Sequence, residues 1–450
     1  MNKPIIKHAA FSLGGIPMAL TWMLVNCYFL FYLTSIAGLS GSLFLFVLTG
    51  ACMINLASDL FMGLVCDLFV TRFGRYRPWM LISSLLLLPT LLSLFSLASK
   101  QANKTGFLSA CFLYILSILL ISMWNIPFGG LHSCISQKPK EQCGLISRRL
   151  CVSALSCTLA LGLLSLLCDP VTMEVQNLTL YMRFHQVLTL LLFPISLFSC
   201  FFTRETTEAA KASKPEVKNL RGITKNNPPL IITLLGVFLF GFLNYGQAMI
   251  SSFYFAYVVQ KPSLFLFYLI LSGCTLGSTA LLAPRLLKLF REKHLLCCFG
   301  YGLVLITGVL LYLITPTADW PILLLFLWIG TAGNGISNAM LCSMLPDIVT
   351  NTQERTGIRA DGFIYSMLSF MRKLGGFLAP LVLHLLLSFA GYIPNLEQSA
   401  SAFNMMNGCM NLIPALIALL IIVLLQYYRL NSKAKESLSS PLYSQEEGCR

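Results

Sequence analysis

Asp59 makes the plainest chemical demand in this chain: it is a carboxylate in the middle of the apolar run INLASDLFMGLVCDLF, with Asn55 four residues before it and Ser58 beside it. Spacing of i, i+4 brings Asn55 and Asp59 onto one helix face, and the Ser58 hydroxyl adds an oxygen. An acid in such a run serves a cation. The cation is either a metal ion gathered by oxygens or a proton on a carboxylate whose pKa desolvation raises. The structural alternative is an ion pair between Asp59 and Arg148 or Lys373.

Other polar residues recur at helical spacing. Ser122, Asn125, Gly129 and His132 follow i, i+3, i+7 and i+10. Asn244, Gln247, Ser251 and Tyr254 form a second stripe, Asn334 and Asn338 a third, and Ser366, Ser369 and Lys373 a fourth. Amide and ammonium groups are costly against lipid, so stripes from several runs point to a shared polar cavity. Their alternative use is to join helices by hydrogen bonds. A cavity holding Arg148, Lys373 and a single acid suits a small anionic or zwitterionic solute better than a neutral sugar. His132 reads as a packed polar residue or as a proton relay.

The elements that must carry these residues are membrane helices. The chain has 450 residues, 56% hydrophobic and 11% charged, with a mean hydropathy of +0.77; a soluble domain carries about a quarter charged residues. Crossing a bilayer takes roughly 20 apolar residues. Twelve such runs occur, near 11–35, 42–68, 78–99, 106–134, 147–167, 181–202, 229–258, 264–284, 296–315, 321–349, 362–389 and 400–428. Unsatisfied backbone in lipid excludes open strands, so the fold class is all-α and integral to the membrane. The first run lacks a small-residue cleavage site and reads as a retained helix.

The polar stretch TRETTEAAKASKPEVKNLRGITKNNP divides the runs into six and six. The expected organisation is a six-helix half over 1–202, a cytoplasmic linker over 203–228, a second half over 229–428 and a disordered tail over 429–450. Transporters built from paired six-helix halves place substrate near the midplane.

The net charge of +14 is not a nucleic-acid signature here, because basic residues collect on alternate loops. Lys3, Lys7, Arg72, Arg75, Arg77, Lys138, Lys140, Arg148, Arg149, Arg285, Lys293, Arg355 and Arg359 lie on one side with the linker and tail. Lys100, Lys104, Arg183 and Lys261 lie on the other. The positive-inside rule then puts both termini in the cytoplasm. The sixteen cysteines lie mostly inside runs, with no metal-ligand spacing, and read as packing thiols. Asn103 and Asn177 form N-x-S/T sequons in expected outer loops.

The INLASDLFMGLVCDLFVTRFGRYRPW stretch, MWNIPFGG at 123–130, LPDIV at 345–349 and TGIRADGFIYSMLSFMRKLGG at 356–376 resemble the glycoside/pentoside/hexuronide cation symporters. These form a branch of the major facilitator superfamily that includes the bacterial melibiose carrier. The resemblance implies twelve helices in two six-helix halves and cation-coupled alternating access. Asn55, Asp59 and Asn125 stand where the family places cation-binding acids, with Ser58 and Ser122 nearby, so coupling to sodium or a proton would rest on Asp59. Ala19, Asn125, Gly129 and Asn338 replace the family's sugar-binding acids and aromatics, while Arg148 and Lys373 retain its basic members. A melibiose-like disaccharide is not expected.

The resemblance also implies gating clusters, one of Asp67, Arg72 and Arg75 and one of Asp347, Arg359 and Asp361. The GGIP sequence in the first run is similar to the lysolipid symporters of the same family.

Three functions follow: a cation-coupled importer of a small polar solute, a lysolipid or headgroup symporter, and a non-transporting receptor or scaffold. An enzyme is not expected, for want of a nucleophile with a base, a metal cluster or a phosphate loop. The expected partners are a small-molecule substrate, a coupling cation and membrane lipid, with no other cofactor. The expected setting is a monomer in a bacterial inner membrane.

Overall fold

The computed structural model describes residues 3–37, 41–69, 71, 73–97, 104–136, 139–167, 175, 177–203, 205, 223–224, 227–290, 292–315, 319–357, 360–393 and 398–428. Among them, twelve helical segments are long and apolar enough to cross a membrane. The first span bends at Gly14 into α1 (Lys3–Leu13) and α2 (Gly15–Phe31). There follow α3 (Gly41–Leu68), α4 (Arg77–Ser96), α5 (Lys104–Ile135), α6 (Pro139–Ser165) and α7 (Leu178–Phe202).

The second set is α8 (Pro228–Phe253), α9 (Ser263–Phe290), α10 (Lys293–Ile314), a tenth span made of α11 (Trp320–Ser343) and α12 (Leu345–Thr356), α13 (Asp361–Phe389), and a twelfth span made of α14 (Ala400–Asn407) and α15 (Ile413–Gln426). The first and seventh spans both end in a π turn, Tyr32–Ile36 and Tyr254–Val258, and a third π turn, Gly408–Leu412, joins α14 to α15. Prolines inside α4, α5, α7, α9 and α13 are carried without ending the helix, because neighbouring groups satisfy the backbone that each one frees.

Two compact units result. Unit 1 comprises residues 1–137, 148–216 and 359–367; unit 2 comprises 138–147, 217–358 and 368–450. Unit 1 is centred on aromatic packing: Phe29 stacks on Tyr114 with ring centroids 3.6 Å apart, and Tyr28 meets Phe95 edge-on at 4.8 Å. Unit 2 packs Tyr254, Phe255, Tyr268, Met406 and Met410 around Leu311 and Leu327. Phe61, Leu108, Phe112, Leu159 and Phe389 face outward, as expected of surfaces against lipid.

The described part of the polar linker has a defined task. Glu205 accepts the backbone N–H groups of Arg75 (2.9 and 3.0 Å) and Tyr76 (2.8 Å) at the start of α4. Its carboxylate thereby satisfies donors that a helix start leaves open. Gly74, at φ +114°, lies against it where a Cβ would come within 2.6 Å of the carboxylate. Glu205→Ala should cost about 1–2 kcal/mol, read as a lower Tm in detergent with the twelve helices retained. Asn177 likewise caps α7, accepting the Leu180 N–H at 3.1 Å. Asn103, the other sequon asparagine, and the tail from 429 lie outside the described residues.

Candidate functional site

In unit 1 the expected cation group gathers on α3 and α5. Asp59 is fully buried, and Asn55 and Ser58 are buried with it. The Ser58 hydroxyl donates to the Asn55 carbonyl at 2.8 Å and lies 2.8 Å from the Ser122 hydroxyl, so α3 and α5 meet at the level of Asp59. A carboxylate, two hydroxyls and an amide in dry surroundings can hold a proton or a small hard cation. Asn125, three residues beyond Ser122, turns elsewhere. It lines a partly open pocket with Pro17, Thr21, Ser84, Trp124 and Phe193, and its Oδ1 has no hydrogen-bond partner among the described residues.

Arg148 is exposed, and the buried arginine is Arg149, whose guanidinium lies 5.9 Å from the Phe11 ring centroid and 5.8 Å from that of Phe128. Consecutive helical residues point about 100° apart, and the rotation of α6 buries Arg149 and leaves Arg148 exposed. His132 is buried beside the same Phe11 ring, with centroids 5.7 Å apart. Gly129 is no gap, because a Cβ there would lie 1.9 Å from the Tyr365 ring. Tyr365, at the start of α13, puts an aromatic where this position of α5 has no side chain.

Asp67 ends α3 in a dense polar knot. It accepts the N–H groups of Gly362 (3.1 Å) and Phe363 (2.8 Å) at the start of α13, and pairs with Arg75 at 3.0 Å. Arg75 also donates to the carbonyls of Cys66 and Asp67. Burial opposes its charge, but Tyr76, Asp67 and Asp361 around it raise its pKa above the ordinary arginine value. Asp361 accepts the Ser133 hydroxyl. Arg72 and Arg359 lie outside the described residues. Asp67→Ala would leave a buried guanidinium and two helix-end amides without their acceptor. The expected loss is about 3–5 kcal/mol, measured as a fall in Tm that Asp67→Glu partly restores.

In unit 2, Asn334 donates to the Asn244 carbonyl oxygen at 3.2 Å, and Asn244 donates to the Phe240 carbonyl. Asn334 and Gln247 line a small, partly open pocket of the unit. Ser251 is buried and bonded to its own helix, so part of this stripe serves packing. Asn338 accepts a hydrogen bond from Arg372 at 3.1 Å, and that guanidinium also meets Cys342 Sγ at 3.5 Å and lies 4.8 Å from the Phe240 ring centroid. Lys373 is half-buried.

The second gating group is also revised. Asp347 is joined to Lys293, at 2.7 Å, whereas Asp361 belongs with Asp67 in unit 1. The sequence reading passed over Arg149, Lys293, Tyr365 and Arg372. For Arg372, the adjacent cations of MRKLGG were the available signal.

Twelve helices long and apolar enough to span a membrane fit a secondary transporter of the major facilitator class. The family model described as "MFS/sugar transport protein" matches residues 10–432, and the chain belongs to that family. It is 24% identical over 428 residues to the Glucuronide carrier protein homolog of Escherichia coli (strain K12), covering 94% of this chain and 92% of that one. It is 24% identical over 409 residues to the Isoprimeverose transporter of Lactiplantibacillus pentosus, covering 89% and 84%.

Among solved structures, the transporter FucP in the outward conformation aligns with a TM-score of 0.67 at 13% identity, covering 96% of this chain and 100% of that one. A bacterial homologue of the iron transporter ferroportin aligns with a TM-score of 0.69 at 12% identity, covering 95% and 99%. These likenesses bear on fold alone. Both fit the expected architecture of two six-helix halves.

Proposed function

We propose that this secondary transporter is a symporter that carries a small polar, anionic or zwitterionic solute on a sodium or proton gradient. The observation that carries this reading is the complete burial of Asp59, next in the chain to Ser58, whose hydroxyl meets that of Ser122. A buried intramembrane acid is suited to an ion. Arg149, beside the stacked Phe11 and Phe128 rings, is a fixed positive charge within unit 1, and Arg372, held by Asn338, is one within unit 2; each by itself suits an anionic group. A relative named as a glucuronide carrier homolog fits a carboxylated solute. Gly129 with Tyr365 in unit 1, and Lys373 and Asn338 in unit 2, are the further candidates for recognition within each unit. The Asp67–Arg75 and Asp347–Lys293 pairs act as gates that stabilise one conformation without touching solute. The transporter works as a monomer in a bacterial inner membrane with both termini cytoplasmic, and needs no cofactor beyond its coupling ion.

The test is uptake of glucuronides and related sugar acids into proteoliposomes, with sodium and proton gradients imposed and removed separately. Accumulation should collapse with one gradient, and accumulation that survives loss of both rejects symport. A lysolipid substrate is the second reading, favoured by the apolar walls of the unit 1 cavity, where Leu87, Leu88, Leu91, Ile121, Leu192 and Phe193 surround Thr21 and Asn125. Competition by lysolipids, with none by sugar acids, would establish it. Absence of flux under every gradient would instead point to a receptor or scaffold.

A further inference from the structure

The cavity inside unit 2 presents hydrogen-bond acceptors. Asn334 is only 6% exposed, its Nδ2 is committed to Asn244, and its Oδ1 has no partner among the described residues. The Thr307 hydroxyl spends its hydrogen on the Leu303 carbonyl at 2.7 Å, and the Thr331 hydroxyl on the Leu327 carbonyl at 2.8 Å. Gln247 turns its Nε2 toward the Met410 carbonyl at 3.4 Å, longer than an ordinary amide hydrogen bond. All four line the same small pocket. Each has oxygen lone pairs left over, beside the second amide hydrogens of Asn334 and Gln247 and the Tyr268 hydroxyl on the same wall.

The backbone adds to this. Met410 lies in the π turn Gly408–Leu412, and Pro414 follows it on the cavity wall. Proline has no N–H, so a carbonyl of the preceding turn loses its helical donor. Widened turns of this kind cluster at functional sites, and carbonyls released where membrane helices depart from α geometry coordinate sodium in transporters. A buried acceptor left unmet costs on the order of 1–3 kcal/mol, which a bound cation removes. Asn125 repeats the feature in the fourth span of unit 1.

We propose that unit 2 contains a second monovalent-cation site, selective for sodium, made by the neutral oxygens of Asn334, Thr307, Thr331 and Gln247 with the Met410 carbonyl. It carries no carboxylate, so its affinity does not depend on protonation, unlike a site at Asp59. Sodium entering it ties α8, α10, α11 and the π turn together.

The test uses full-length protein in detergent, with sodium exchanged for potassium at constant ionic strength and Tm as the readout. The measurement is made in Asp59→Asn, which silences the first site. A sodium-dependent rise should remain. It should disappear in Asp59→Asn combined with Asn334→Leu, and in Asp59→Asn combined with Thr331→Val. Asn334→Asp, which adds a formal charge to the same oxygen set, should lower the half-saturating sodium concentration by about tenfold or more. Loss of all sodium dependence in Asp59→Asn alone overturns the proposal, as does its persistence in both double variants. A cavity that holds only water would melt alike in both salts and overturns it too. Failure of gradient-driven uptake would reject coupling at Asp59 and leave this melting result standing.

Discussion

Asp59→Asn should weaken sodium dependence of uptake on the order of a thousandfold, if sodium is the ion, and abolish accumulation at ordinary salt. The asparagine keeps the volume and one carbonyl, so packing against α5 through Ser58 and Ser122 is preserved. What is lost is a full negative charge. At about 4 Å and an effective dielectric of about 20, that charge is worth roughly 4 kcal/mol to a cation, and each 1.4 kcal/mol is about tenfold in affinity. If the ion is a proton, the loss is total, because an amide cannot bind it. The measurement is initial uptake rate against external sodium and against pH in proteoliposomes. Wild-type kinetics in the variant would show that Asp59 is structural. Equilibrium exchange of solute across the membrane should survive, because moving the unloaded carrier and driving solute uphill are different demands.

Gly375→Leu should prevent recovery of a folded, monodisperse protein. A Cβ at Gly375 would lie 2.1 Å from the Phe238 carbonyl oxygen and 2.8 Å from the Phe242 nitrogen, and a Cβ at Gly241 would lie 2.1 Å from the Arg372 carbonyl oxygen. The obstacles are backbone atoms of α8 and α13, so no side chain can rotate aside. Small residues allow such close crossings in membranes, where packing and not hydrophobic burial joins helices. Even Gly375→Ala forces the two helices apart, and overpacking of this sort costs about 1–3 kcal/mol or more. The double variant Gly241→Ala/Gly375→Ala should destabilise by less than the sum of the singles, since the first separation makes room for the second. Thermal melting of the four proteins is the check. Additive or negligible shifts would mean that the helices do not meet at these glycines.

The separation of α8 from α13 would also move Arg372, whose carbonyl faces Gly241 and whose guanidinium meets Asn338. Uptake should therefore fall in Gly241→Ala faster than stability does. No linear feature announces this coupling. Gly241 and Gly375 read as ordinary small residues in apolar runs until the crossing puts them face to face.

The division between what the linear chain determined and what folding decided follows the range of the forces involved. Twelve spans are written into composition and run length, because a helix in lipid satisfies its own backbone whatever its neighbours do. The grouping of Asn55, Ser58 and Asp59 on one face is equally local, since 3.6 residues per turn place them together. Helix rotation and contact between distant segments are not local.

Arg148 and Arg149 are chemically equivalent neighbours, and only the packing of α6 turned one inward against Phe11 and Phe128. Tyr365 reached the bare position at Gly129 from 236 residues away (365 − 129), and Lys293 took Asp347 from another helix. The acceptor-lined cavity behind Asn334 needed side chains from α8, α10 and α11 to spend their hydrogens elsewhere. Each such side chain is an unremarkable helix residue in the sequence, and these oxygens come to share one space only when the helices are packed.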